Sequence, residues 1–107
     1  LTKTITGNWV LPNGSPVANG TLYLQLNQPA IATATPAQVA PRINAIGLDS
    51  NGSIPSNTVL LANDEMNPSG TFYRASVEQA GGGTIYGPEN FTITGSSPIN
   101  LNLIVPT

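Results

Sequence analysis

The 107-residue chain contains no cysteine and no histidine. Without cysteine there is no disulfide to staple the fold and no thiol nucleophile. Without histidine the commonest general base is gone, with the imidazole metal ligands and every Ser–His or Cys–His pair. Charge is scarce too: Lys3, Arg42 and Arg74 are the only fixed cations, and five carboxylates bring the net charge to −2. Phosphate backbones need clustered Lys and Arg, so nucleic acid is a poor partner, and the basic patches that attract anionic lipid are missing. No apolar run approaches a membrane span, so membrane insertion is not expected. With neither an initiator Met nor a signal peptide, Leu1 is expected to begin a processed chain or an excised module.

Charged residues make up 7% of the chain, against about 25% in typical soluble domains. Apolar residues reach 39%, too many for a disordered chain. Monomers usually keep apart by surface charge. Here hydroxyls, amides, glycans or neighbouring subunits are expected to cover the surface instead.

The pattern along the chain has a period of two, the signature of strands. TKTITGNWVL puts Ile5, Gly7, Trp9 and Leu11 on one face, and TLYLQLN puts Leu22, Leu24 and Leu26 inward with Tyr23 and Gln25 outward. RINAIGL, SIPSNTVLLA, TFYRASVEQA, TIYGPENFTIT and INLNLIV read as further strands. PNGSPVANG, DSNG, NDEMNPSG and GGG read as turns. Gly87-Pro88 predicts a bulge or an edge. QPAIATATPAQVAP, with three prolines, reads as a long connection with room for a short edge strand. Together these predict one domain over residues 1–107: an all-β, Greek-key sandwich of seven or eight strands, immunoglobulin-like or prealbumin-like. Its expected core is Ile5, Trp9, Leu22, Leu24, Leu26, Val59, Leu61, Tyr73, Val77, Phe91, Ile93, Leu101 and Leu103, with Ile99 and Val105 inward on the last strand.

Asp64 and Glu65 are adjacent, and neighbours on a strand point to opposite faces, so they do not converge as an acid/base pair. Asn63 and Asp64 suit a turn closed by Pro68 and Gly70; a weak cation site is the alternative. Asp49–Ile54 (DSNGSI) resembles half a calcium loop, but the further acidic ligands are missing, which favours a hairpin turn. Gly81–Thr84 lacks the lysine and helix of a phosphate cradle. No catalytic, metal or cofactor residues are therefore assigned, and the chain is read as non-enzymatic. Sequons at Asn13, Asn19, Asn51 and Asn90 are candidate glycosylation sites, three of them in Asn-Gly turns, and Thr33 and Thr35 are candidates for O-glycans. Tyr23 and Phe72 face outward and are candidate partner or sugar contacts. Ile5 and Trp9, on a terminal strand, could be offered to a neighbour as well.

ITGNWVLPNGSPVANGTLYLQL resembles the opening of carboxypeptidase-regulatory-like and transthyretin-like β-sandwich modules. IGLDSNGSI and VLLANDEMNPSGTFYRASV are similar to modules of phage tail-fibre and bacterial surface proteins. The resemblance runs from Ile5 to Val105, with the Pro/Ala/Thr segment as the departure, and it implies a spacer, assembly or adhesion module. The expected function is thus a structural module of an extracellular fibre, filament or virion appendage. Its partners are expected to be copies of itself or adjoining modules, joined by a terminal strand, with the N-terminal strand favoured. A carbohydrate-binding or adhesive surface module is the alternative.

Overall fold

The computed structural model describes residues 2–33 and 37–104; Thr35 and Val105, named above, lie outside them. The protein is all-β. Among the described residues ten strands follow in order: β1 (Thr2–Thr6), β2 (Thr21–Leu26), β3 (Ala30–Ala32), β4 (Ala37–Val39), β5 (Ile43–Gly47), β6 (Val59–Leu61), β7 (Met66–Asn67), β8 (Tyr73–Glu78), β9 (Thr84–Phe91) and β10 (Ile99–Asn100). Single 3-10 turns span Asn63–Glu65 and Leu101–Leu103.

The strands form three sheets, ordered β10-β1-β6, β5-β2-β8-β9 and β4-β3-β7. The first two bring their apolar faces together as a sandwich: Ile5, Leu60 and Ile99 share one core with Leu22, Leu24, Ile46, Ala75 and Val77. β2 lies at the centre of the second sheet, opposite β5 on one side (Tyr23 beside Ala45) and β8 on the other (Tyr23 beside Ser76). The strict alternation of TLYLQL produces this: Leu22, Leu24 and Leu26 are buried, whereas Gln25 is exposed. The third sheet is the main addition to the expected fold. The Pro/Ala/Thr segment supplies β3 and β4, which pair antiparallel, and the turn after Glu65 supplies β7.

Two strands depart from the expected faces. In β6, Leu60 is buried and Val59 is 48% exposed, because Leu60 lies opposite Lys3, on the same side of the sheet as Ile5. Val59, Leu60 and Leu61 are all apolar, so the sequence offers no alternation to set the phase; a one-residue shift exchanges the faces. The last strand ends at Asn100, whose Oδ1 accepts the Asn102 N–H at 3.0 Å and curls the chain into the Leu101–Leu103 turn. Leu103 is consequently 79% exposed rather than core, and Leu101 is half-buried. Trp9 is half-buried too, packed against the edge of the core.

The DSNG turn appears where expected. Asp49 Oδ1 accepts the N–H groups of Asn51 and Ser53 at 2.8 and 3.0 Å, and Gly52 takes φ +72°. Gly52 also lies against other backbone: a Cβ there would come within 2.5 Å of the Trp9 carbonyl and 2.9 Å of the Val17 nitrogen. Its carbonyl accepts the Trp9 N–H at 3.0 Å, so the turn anchors the segment that follows β1. Gly52→Ala should lower stability in urea by about 2–3 kcal/mol, combining left-handed strain with displacement of backbone. Gly47→Ala, in open space, should change it by under about 0.5 kcal/mol.

Candidate functional site

The acidic pair occupies the 3-10 turn after β6, and its two carboxylates diverge. Asp64 Oδ2 accepts the Gly95 N–H at 3.2 Å, while Glu65 Oε1 lies 3.7 Å from Lys3 Nζ. Lys3 Nζ donates to the Gly95 carbonyl at 2.7 Å. Lys3, Glu65, Asp64 and Gly95 therefore tie the start of β1 to the turn after β6 and the connection after β9. This is a structural clasp.

The residue beside the pair carries more weight. Asn63 is buried; its backbone N–H donates to the Ile93 carbonyl at 2.7 Å, and its side-chain Oδ1 accepts the Ile93 N–H at 2.7 Å. Its Nδ2 donates to buried Thr71 Oγ1 at 3.0 Å. Sequence reading places Asn63 as a local turn cap and misses this clamp, because Ile93 is 30 residues away. The only signal in the sequence is a polar residue that directly follows the apolar run ending at Ala62 and opens the NDE turn.

The other candidates separate cleanly. Gln79–Gly83 closes the β8–β9 hairpin, with Gly82 N–H donating to the Gln79 carbonyl at 3.0 Å. Asn13, Asn19 and Asn51 are exposed in turns, while Asn90 is half-buried in β9. Tyr23 donates to Glu78 Oε1 at 3.2 Å, and that hydrogen bond to a carboxylate raises its pKa. Tyr23 pairs across to Ser76, whereas Phe72 lies by Asn27. Four residues along β2 separate the two, about 13 Å. Ile5 is buried in the core and presents nothing to a neighbour.

The C-terminal strand β10 is a two-residue edge strand, whereas β1, the N-terminal strand favoured above, lies inside its sheet. It is the middle strand of its sheet, with β10 parallel on one side at Ile5 and Thr6 and β6 antiparallel on the other at Thr2–Thr4. Among the described residues the long free edges are β5 and β9, and they are built differently. β9 carries Gly87-Pro88, Glu89 and two register irregularities against β8. Gly87, at φ +77°, leaves no room for a Cβ beside the Ala75 carbonyl. Bulges, proline and charge all discourage pairing by another strand. β5 has none of these guards: Ile43, Asn44, Ala45, Ile46 and Gly47 are uncharged and pair with β2 in unbroken register. Leu48 donates to the Gly20 carbonyl at 2.8 Å. That bond sets the ladder's phase, so Asn44 and Ile46 bond to β2, and the N–H and C=O groups of Ile43, Ala45 and Gly47 turn outward. Ile43 is 59% exposed beside them.

No family model matches this chain, and no curated protein matches it.

The clamp, the clasp and the tyrosine behind them each yield a prediction. Asn63→Ala should cost about 2–4 kcal/mol in chemical denaturation, since buried donors and acceptors lose their partners. Asp64→Asn with Glu65→Gln should cost under about 1 kcal/mol and leave assembly unchanged. Tyr73 donates to the Leu61 carbonyl at 2.6 Å, and burial pushes its pKa up from 10.0 to about 12. The unfolded chain releases this proton first, so its contribution is fully present below about pH 10 and is lost as pH rises towards 12. Thermal melts across that window should show the decline, and Tyr73→Phe should flatten it.

Proposed function

We propose that this chain is a non-enzymatic structural module of an extracellular fibre, filament or virion appendage, and that it joins a neighbour through β5. The observation that carries this reading is the contrast between the two long edges: β9 is bulged and bears Pro88 and Glu89, whereas β5 is regular and charge-free. The low overall charge supports it, because an edge normally needs Lys or another charge to resist pairing. So does the sequence resemblance to spacer modules of tail fibres and surface proteins.

Strand addition at β5 would extend the four-stranded sheet with a row of hydrogen bonds worth about 0.5–1.5 kcal/mol each. Apolar burial around Ile43 would add about 25 cal/mol per Å². With β5 meeting β5 of a second copy, the contact is two-fold and closes as a pair. A filament would need β5 to meet a different edge, and the guards on β9 disfavour that one. With no charged residue in β5, the association should depend weakly on salt.

Ala45→Lys tests this. Ala45 is exposed, so the thermal midpoint should hardly move, while two lysines brought together across the new strand pair repel. Analytical ultracentrifugation should show concentration-dependent pairing of the native chain and monomer for the variant. A native chain that stays monomeric at millimolar concentration, or a variant that pairs as before, overturns the proposal.

A further inference from the structure

Among the described residues, the sandwich is not filled at one end. Where β1 stops at Thr6, the wall is completed by residues 8–10 and by the Leu101–Leu103 turn, and behind them lies a cavity of about 340 Å³. Its floor is the apolar face of the four-stranded sheet, at Leu22, Leu24 and Ala75. Trp9, Tyr86 and Phe91 also line it, half of the six aromatic residues in the chain. Among the described residues no Lys, Arg, Asp or Glu lines it; the polar side-chain groups are those of Asn8 and Asn102, the Tyr86 phenol and the Trp9 indole N–H. Asn102 Oδ1 already accepts the Asn8 backbone N–H at 2.6 Å, which leaves the Asn102 amide N–H groups to donate elsewhere. Burial, with the Glu89 carboxylate adding to it, raises the Tyr86 pKa, so the phenol stays a neutral donor.

We propose that this cavity binds a small, uncharged, flat aromatic molecule carrying one hydrogen-bonding substituent, with the ring among Trp9, Tyr86 and Phe91 and the substituent at Asn102. The volume falls within the range of small-molecule sites, and an apolar lining with a few polar groups is their usual construction. A charged ligand would lose its hydration with no counter-charge to meet it. A sugar would leave most of its hydroxyls without partners. Apolar cavities of this kind take up apolar guests in preference to water, and three aromatic walls favour a ring, which can meet them edge-to-face or offset. This site is independent of the β5 edge, and Ala45→Lys makes the two separable.

The test is a titration of the full chain, native and Ala45→Lys, with 2-naphthylmethanol followed by ¹H–¹⁵N NMR. The single tryptophan supplies one indole N–H signal as a reporter. Saturable shifts are expected at Trp9, Ala75 and Ile93 in both chains, with a Kd of about 0.1–1 mM. Ala75→Leu, which fills the floor, should weaken binding about tenfold or more. Val10→Asp changes a rim residue that is 57% exposed, so it should fold normally and still weaken binding several-fold. Cyclohexylmethanol should bind several-fold more weakly than the aromatic probe. Shifts that are absent, unsaturable or confined to Tyr23 and Phe72 overturn the proposal. So does a Val10→Asp chain that binds like the native one, or equal affinity for the two probes.

Discussion

The side chain of Asn63 makes hydrogen bonds that no strand in the fold provides. Asn63 follows β6 in one layer and reaches Ile93, which follows β9 in the other: its side-chain oxygen accepts that residue's N–H, and its backbone N–H donates to that residue's carbonyl. An amide in this position does the work of one rung of a ladder between two sheets that share no strand pairing. Its nitrogen holds Thr71, the residue that leads into β8. Because Asn63, Thr71 and Ile93 are all buried, water cannot replace any of these bonds. The position of β8, and through it the four-stranded sheet, is referred back to one polar side chain inside an apolar end of the molecule.

The same geometry explains the acidic pair that stands out in the sequence. Once Asn63 is turned inward, the 3-10 turn carries Asp64 and Glu65 outward along divergent paths, one to Gly95 and one to Lys3. In a chain so poor in charge, two of its five carboxylates and one of its three cations are spent on a single clasp. That leaves little charge for the surface elsewhere and makes the shapes of the free edges decisive.

How far the sequence could be read depended on whether a local pattern had only one solution. TLYLQL and YRASVE alternate without ambiguity, and both landed on the expected faces. The Asp49–Ser53 turn was equally legible, because aspartate followed by Asn-Gly has one compact way to close. Val59–Leu61 was not, since three apolar residues in a row fit either phase. INLNLIV looked like a strand until Asn100 bonded to the chain two residues on, a competition between side chain and ladder that spacing does not reveal. The third sheet was hidden by prolines that mark where β3 and β4 stop but not that they pair. The open edge and the aromatic-lined cavity were the least visible of all. Each is defined by what lies beside a strand, and the order of strands in a sheet is not written in any one of them.

The parallel pairing of β1 with β10 bears on how the molecule carries load. Both strands run the same way, so the chain enters the small sheet at one end and leaves it at the other. Lys3 to Gly95, Thr4 to Ser97, Thr6 to Ile99 and Asn8 to Asn102 are bridged in sequence along this seam. Tension applied between Thr2 and Asn102 would slide one strand along the other, and the bridges would share the force at once rather than open singly. The seam is a lap joint, loaded in shear along its length.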